Sequence, residues 1–254
     1  DLGIEFRSEE ELIEILKNEK PDCLGFSEIS ANLRILGPLL AEVRTFCPDS
    51  LITVGGPYVS EKNTDEFVGT DADAFFIGEA EASLLEVLKR VLDKKDYSDV
   101  SGVTVNKKEH YVDGKPVFRF GRMDLIEFEN LGFPSYNLVN TDEYYKSFNW
   151  GYSRNKYALM ESTRGCPYSC TFCNDGPAIR SKIFSKPIEM IAEEFEYIGH
   201  HIKHSDQLII ADLNYGMYKE DLESAAIIRD TYEKYSWPER IDASLGKSHP
   251  DRLL

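Results

Sequence analysis

Short apolar runs alternate with amphipathic stretches from Leu12 to Leu92, and this alternation constrains the fold more than any other feature of the chain. Cys23-Leu24-Gly25-Phe26-Ser27, Leu51-Ile52-Thr53-Val54 and Ala74-Phe75-Phe76-Ile77 have the length and apolarity of buried strands. Around them, Leu12/Ile13/Ile15/Leu16, Leu36/Leu39/Leu40/Val43 and Leu84/Leu85/Leu88/Val91/Leu92 recur at helical spacing. Ser8-Glu9-Glu10-Glu11 reads as a capping box opening the first helix. Strands joined through helices pair in parallel, because a helical crossover returns the chain to the end from which it started. The expectation is an α/β protein opening on a doubly wound parallel sheet.

A second strand–helix series follows. Tyr157-Ala158-Leu159-Met160, Leu208-Ile209-Ile210-Ala211 and Ile241-Asp242-Ala243-Ser244-Leu245 read as strands. Ile188, Ile191, Phe195 and Ile198 mark a helix with Pro187 in its first turn, and residues 220–235 mark another. The series predicts the first half of a partial parallel barrel. The domains expected are 1–95, a connector at 96–150, and 151–254. The connector carries a short strand (Val103-Thr104-Val105), a hairpin across Asp113-Gly114, and aromatics from Phe128 to Trp150 that read as packing surface.

In both sheet types ligands meet residues beyond the carboxyl ends of the strands. Ser27, Gly55, Gly56, Gly78 and Glu79 occupy such positions in the first series, and Asp212, Asn214, Ser244 and Lys247 in the second. The small residues let a ligand approach the backbone, but tight turns call for the same composition. Asp212, read from the residues alone, caps the following turn. Arg180 is a carboxylate or phosphate partner or a solvated side chain, and His200, His201 and His204 read as a solvated helix end.

Cys166, Cys170 and Cys173 fall within eight residues, spaced C-x3-C-x2-C, on a loop leaving the Tyr157–Met160 strand. Thiolates this close converge on one metal centre, and Gly165 and Pro167 shape the turn they need. Phe172 supplies an apolar wall that limits water access. Three ligands to a four-iron cluster leave one iron open. Zinc is the competing metal, although structural zinc sites generally draw four Cys or His ligands.

The chain has 254 residues, room for two domains, and a net charge of −16, which argues against binding phosphate backbones. No run of 18 apolar residues and no signal segment is present, so a cytoplasmic location is expected. Five cysteines, three of them in one motif, fit a reducing compartment; Cys23 and Cys47 read as packing residues. The chain opens on Asp1 and stops after a strand, which reads as a fragment expected to be unstable or inactive alone.

The run Glu161-Ser162-Thr163-Arg164-Gly165-Cys166 through Cys173, with an aromatic before the last cysteine, resembles the radical S-adenosylmethionine superfamily. The resemblance implies a 4Fe-4S cluster on Cys166, Cys170 and Cys173, with S-adenosylmethionine on the open iron, cleaved reductively to a 5′-deoxyadenosyl radical. It implies a partial (β/α)6 barrel, S-adenosylmethionine contacts from Phe172, Asp212, Asn214 and Ser244, and a reductase, flavodoxin or ferredoxin as electron donor. Gly-Phe-Ser, Gly-Gly-Pro and Gly-Glu-Ala-Glu, in that order, are similar to the cobalamin-binding domains that precede some of these barrels, with Ala80 replacing a glycine. That likeness implies cobalamin contacts from Ser27, Gly55, Gly56, Gly78 and Glu79 in a Rossmann-like domain lacking its first strand. The implied reactions are methyl transfer or rearrangement on an unidentified substrate. The alternatives are a radical enzyme with a purely structural front domain, or an iron–sulfur electron-transfer module.

Overall fold

The computed structural model describes residues 9–28, 33–60, 64–67, 69–106, 111–112, 115–116, 128–135, 157–171, 173, 182–201 and 206–246. The chain divides into two compact units, Leu2–Ile126 and Glu127–Leu254.

The first unit runs α1 (Glu9–Glu19), β1 (Cys23–Ser27), α2 (Leu33–Phe46), β2 (Leu51–Gly55), a 3-10 turn (Thr64–Phe67), β3 (Ala74–Phe76), α3 (Glu81–Leu92), β4 (Val103–Val105), β5 (Tyr111–Val112) and β6 (Lys115–Pro116). Its main sheet has the order β1-β2-β3-β4. β1, β2 and β3 are parallel, with Ser27 opposite Gly55 and Val54 opposite Phe75. Alternate residues face opposite sides of such strands. Leu24, Ile52, Val54 and Phe75 therefore meet Leu12, Leu16, Leu40 and Val43 of α1 and α2 on one face. Leu51, Ala74, Phe76 and Val103 meet Val87 and its neighbours on α3 on the other. Helices cover both faces, as expected.

Two expectations are corrected. The sheet is mixed rather than wholly parallel, because β4 runs antiparallel to β3, with Phe76 opposite Val103. The Ile77 N–H donates to the Gly102 carbonyl at 3.0 Å. The segment after α3 thus returns to the end where β3 stopped, and Gly102, at φ +76°, turns it into β4. Val103–Val105 is accordingly an edge strand of this sheet. On α3, the packed set is Leu84, Val87, Leu88 and Val91. Leu85 and Leu92 are 53% and 81% exposed, since they lie seven apart along the neighbouring face. The hairpin forms, with Tyr111 opposite Pro116, and its expected continuation to Phe120 lies outside the described residues.

The second unit contains a 3-10 turn (Phe128–Asn130), β7 (Tyr157–Met160), β8 (Thr163–Arg164), β9 (Phe184–Ser185), α4 (Ile188–His201), β10 (Gln207–Tyr215), α5 (Glu220–Tyr235) and β11 (Arg240–Leu245). β7 and β11 both pair in parallel with β10, giving the order β11-β10-β7. α4 and α5 cover one face, where Phe195, Ile198, Ile228 and Trp237 pack on Ala158, Met160, Leu208 and Ile210. Each such fully buried side chain contributes about 1.5–3 kcal/mol over its exposed state. Gly199 is required at this helix contact, because a Cβ there would sit 2.6 Å from the Tyr235 ring.

β10 is longer than its sequence suggests. The expected strand ended at Ala211, but the observed one continues to Tyr215. Ile210 is opposite Ala243 and Tyr215 opposite Leu245, so five steps on β10 match two on β11. Such a bulge re-aims side chains near strand ends. Asp212 and Asn214 lie within it. The end of α4 is as anticipated: His201 Nδ1 lies 2.8 Å from the Tyr197 carbonyl and His200 Nε2 3.4 Å from Glu196. Among the described residues no helix is long and apolar enough to cross a membrane.

Candidate functional site

The cysteine loop leaves β7 through Glu161 and Ser162 and is closed at its base. β8 and β9 form an antiparallel stem, with Thr163 opposite Ser185 and Arg164 opposite Phe184. The Lys186 N–H adds a rung to the Ser162 carbonyl at 2.8 Å. Closing a long loop costs chain entropy, and two side-chain devices fasten this stem to the rest of the unit.

The first is Asp212, 2% exposed in the β10 bulge. Its Oδ1 accepts from the Ser162 N–H at 2.7 Å, its Oδ2 accepts from the Ser162 hydroxyl, and the Thr163 N–H also hydrogen-bonds to it. Its oxygens thus engage the loop stem, a contact that neither sequence reading of Asp212 contained. Burial pushes this carboxyl up to about 6, outweighing the Ser162 and Thr163 hydrogen bonds that pull it down. The fold therefore favours the protonated acid. Its contribution to stability is complete below the ordinary value of 3.8 and is lost as pH rises through about 6. We expect the second unit to lose about 2–3 kcal/mol at most between pH 4 and pH 7 from this group. Thermal melts across that range should show the slope, and Asp212→Asn should flatten it; parallel profiles would remove Asp212 as the source.

The second device is the Lys186–Glu194 ion pair, 2.5 Å long between side chains only 4% and 1% exposed. Burial raises the Glu194 carboxyl, and the nearby Lys186 charge opposes the rise. Phe128 sits within reach of two stem cations, with Arg164 Cζ 5.3 Å and Lys186 Nζ 5.2 Å from its ring centre. It is 4% exposed, and Arg164 also pairs with Glu161 at 2.8 Å. Sequence reasoning passed over the ion pair, although its signal was present: Glu194 falls at i+3 from Ile191, on the apolar stripe of α4.

Within the loop, Gly165 has φ +102°, the left-handed turn expected before the first cysteine. Cys166 and Cys170 are half-buried, Cys173 is exposed, and all three are free thiols. The Cys173 N–H donates to the Cys170 carbonyl at 3.1 Å, which curls the backbone between them. Asn214 Nδ2 donates to Cys166 Sγ at 3.2 Å. The Tyr218 hydroxyl is buried without a hydrogen-bond partner among the described residues. Burial, then the Cys166 charge, raises its pKa. Among the described residues no group of three Cys, His, Asp or Glu side chains is gathered tightly enough to hold a metal ion. The donor set itself fits a thiolate-bound cluster: three free thiols on a stem-closed loop, one already accepting an amide N–H. Ser244 is exposed at the same end of the parallel sheet. Phe172, Arg180, Lys247 and His204 lie outside the described residues.

In the first unit the parallel register brings Ser27, Gly55, Gly56, Gly78 and Glu79 to the carboxyl end of the sheet. Gly56 has φ +103°, and a Cβ there would fall 2.6 Å from the Glu28 carbonyl and 2.9 Å from Ser27 Oγ. Packing between β1 and β2 alone thus demands this glycine. Gly78 turns the chain at φ +79° after β3.

Two α/β sheets, one carrying a stem-closed cysteine loop at its strand ends, define the architecture. The chain is 31% identical over 236 residues to the 2-(S-pantetheinyl)-carbapenam-3-carboxylate methyltransferase of Streptantibioticus cattleyicolor, covering 92% of this chain and 33% of that protein. It is 29% identical over 238 residues to the cobalamin-dependent radical SAM methyltransferase TokK of Streptomyces tokunonensis, covering 92% of this chain and 34% of that one. The chain thus spans about a third of the length of these curated relatives. In fold it matches the cobalamin-dependent S-adenosylmethionine radical enzyme OxsB, solved with aqua-cobalamin and S-adenosylmethionine bound, with a TM-score of 0.66 and 18% identity over 92% of this chain and 31% of that one. No family model matches the chain. Over nine-tenths of its length the chain is thus similar in sequence to radical S-adenosylmethionine methyltransferases, and in fold to a cobalamin-dependent member of that superfamily.

Proposed function

We propose that this chain is the cofactor-holding portion of a cobalamin-associated radical S-adenosylmethionine enzyme that transfers a methyl group. The observation that carries this reading is the closed cysteine loop placed against the end of β10, with Asn214 on Cys166. On this reading, Cys166, Cys170 and Cys173 hold a 4Fe-4S cluster, and β7, β10 and β11 begin a partial (β/α)6 barrel. When bound, the cluster supplies an electron for reductive cleavage of S-adenosylmethionine. Asn214 and Ser244 lie at the ligand end of that barrel, and Asp212 holds the stem that presents the loop. Residues 1–95 present Ser27, Gly55, Gly56, Gly78 and Glu79 to cobalamin, and 151–254 form the radical domain. Methyl transfer follows the names of the two curated relatives, whose substrates are not assigned to this chain.

A second reading keeps the radical chemistry and makes the front domain structural. It is favoured by Gly56, whose freedom from a side chain is already required by Glu28 and Ser27.

Anaerobic reconstitution with iron and sulfide, then addition of reductant and S-adenosylmethionine, should give 5′-deoxyadenosine. Hydroxocobalamin titration should shift the corrin absorption. Zinc in place of iron would overturn the proposal, and an intact cluster without 5′-deoxyadenosine would make the protein an electron-transfer module. Normal 5′-deoxyadenosine with no corrin shift would favour the structural front domain.

A further inference from the structure

The Asn214 amide is built to act on the metal centre rather than on the fold around it. It is 5% exposed, lies in the β10 bulge, and aims Nδ2 at Cys166 Sγ at 3.2 Å. The opposite amide orientation would set the Oδ1 lone pairs against a thiolate, so chemistry fixes which atom faces the sulfur. An amide N–H cannot be lost by ionisation in the working pH range, unlike a His or Lys donor. In a buried site such a donor is little screened by water. We infer that Asn214 tunes the reduction potential of the cluster through this hydrogen bond, making it a positioning residue for electron entry. The inference rests on the cluster reading above and deepens it.

The direction follows from electrostatics. Reduction adds one negative charge to a site that already carries three thiolates. A donor on a ligand sulfur stabilises the more negative state and raises the potential, as hydrogen bonds to cluster sulfurs do generally. Removing it makes the cluster harder to reduce by the protein's low-potential electron donor. Asn214→Asp retains the shape and deletes the N–H, while Asn214→Ala deletes the side chain beyond Cβ.

The test is an EPR-monitored redox titration of the reconstituted protein with dithionite and mediators, alongside iron analysis. Both variants should retain iron. At the poise that half-reduces the parent, the reduced-to-oxidised ratio should fall about tenfold, equivalent to about 59 mV for one electron. An unchanged midpoint with full iron would overturn the inference. So would loss of iron in both variants, because the side chain would then hold the loop rather than tune the metal. Absence of an iron cluster in the parent would instead sink the cluster reading, so the two failures are separable.

Discussion

Alanine at Cys166, Cys170 or Cys173 is expected to strip the anaerobically prepared protein of iron and abolish 5′-deoxyadenosine formation. Alanine at Cys23 or Cys47 should change neither. The contrast follows from the setting of the five thiols. Cys47 is 2% exposed, packs among Leu16, Leu40 and Val43, and lies 3.7 Å from the Leu16 carbonyl. Burial, then the Asp73 charge, raises the Cys23 thiol, which disfavours the thiolate a metal needs. The other three lie half-buried or exposed on one loop, and one accepts a hydrogen bond from Asn214. Three ligands leave a four-iron cluster one open corner and none to spare, so the loss should be near complete for each. Iron retained at wild-type level in any of the three single variants would show that the loop does not hold the metal.

The elements that position this loop were readable to different depths. β1, β2, β3, β7 and the helices between them announce themselves by period, because burying one face of each forces apolar residues to recur at 2.0 or 3.6. β4 was read as a strand, but its antiparallel pairing was not, since direction is set by the Gly102 return, which leaves no periodic trace. The β10 bulge was likewise hidden. Asp212 and Asn214 were picked out as residues beyond a strand end, whereas the strand continues and turns one onto the loop stem and the other onto Cys166. Contacts between side chains nearly fifty positions apart depend on register, and a single sequence does not print register. The cysteines were legible because ligand spacing is local. Gly56 was legible as special, but its requirement by neighbouring backbone emerges only in three dimensions.

The largest stability effect is expected at the buried ion pair. Lys186→Met leaves the Glu194 carboxylate 1% exposed without its cation, and Glu194→Leu leaves the Lys186 ammonium 4% exposed without its anion. Removing one member of such a pair costs about 3–5 kcal/mol, because the remaining charge has neither water nor partner. For a chain of this size that corresponds to a drop of about 10 °C in the thermal midpoint. The double variant Lys186→Met/Glu194→Leu should recover most of the loss, since hydrophobic replacement of a buried pair is often neutral. The pair therefore serves to fix one geometry more than to add stability. Lys186 both bonds the Ser162 carbonyl through its N–H and faces the Phe128 ring, so its side chain locks the β8–β9 stem to α4. The double variant should accordingly recover the melting temperature yet bind iron less completely than the parent, because the stem is no longer registered against α4. Single variants that melt within about 1 kcal/mol of the parent, the range of an exposed pair, would show that this contact carries no such burden.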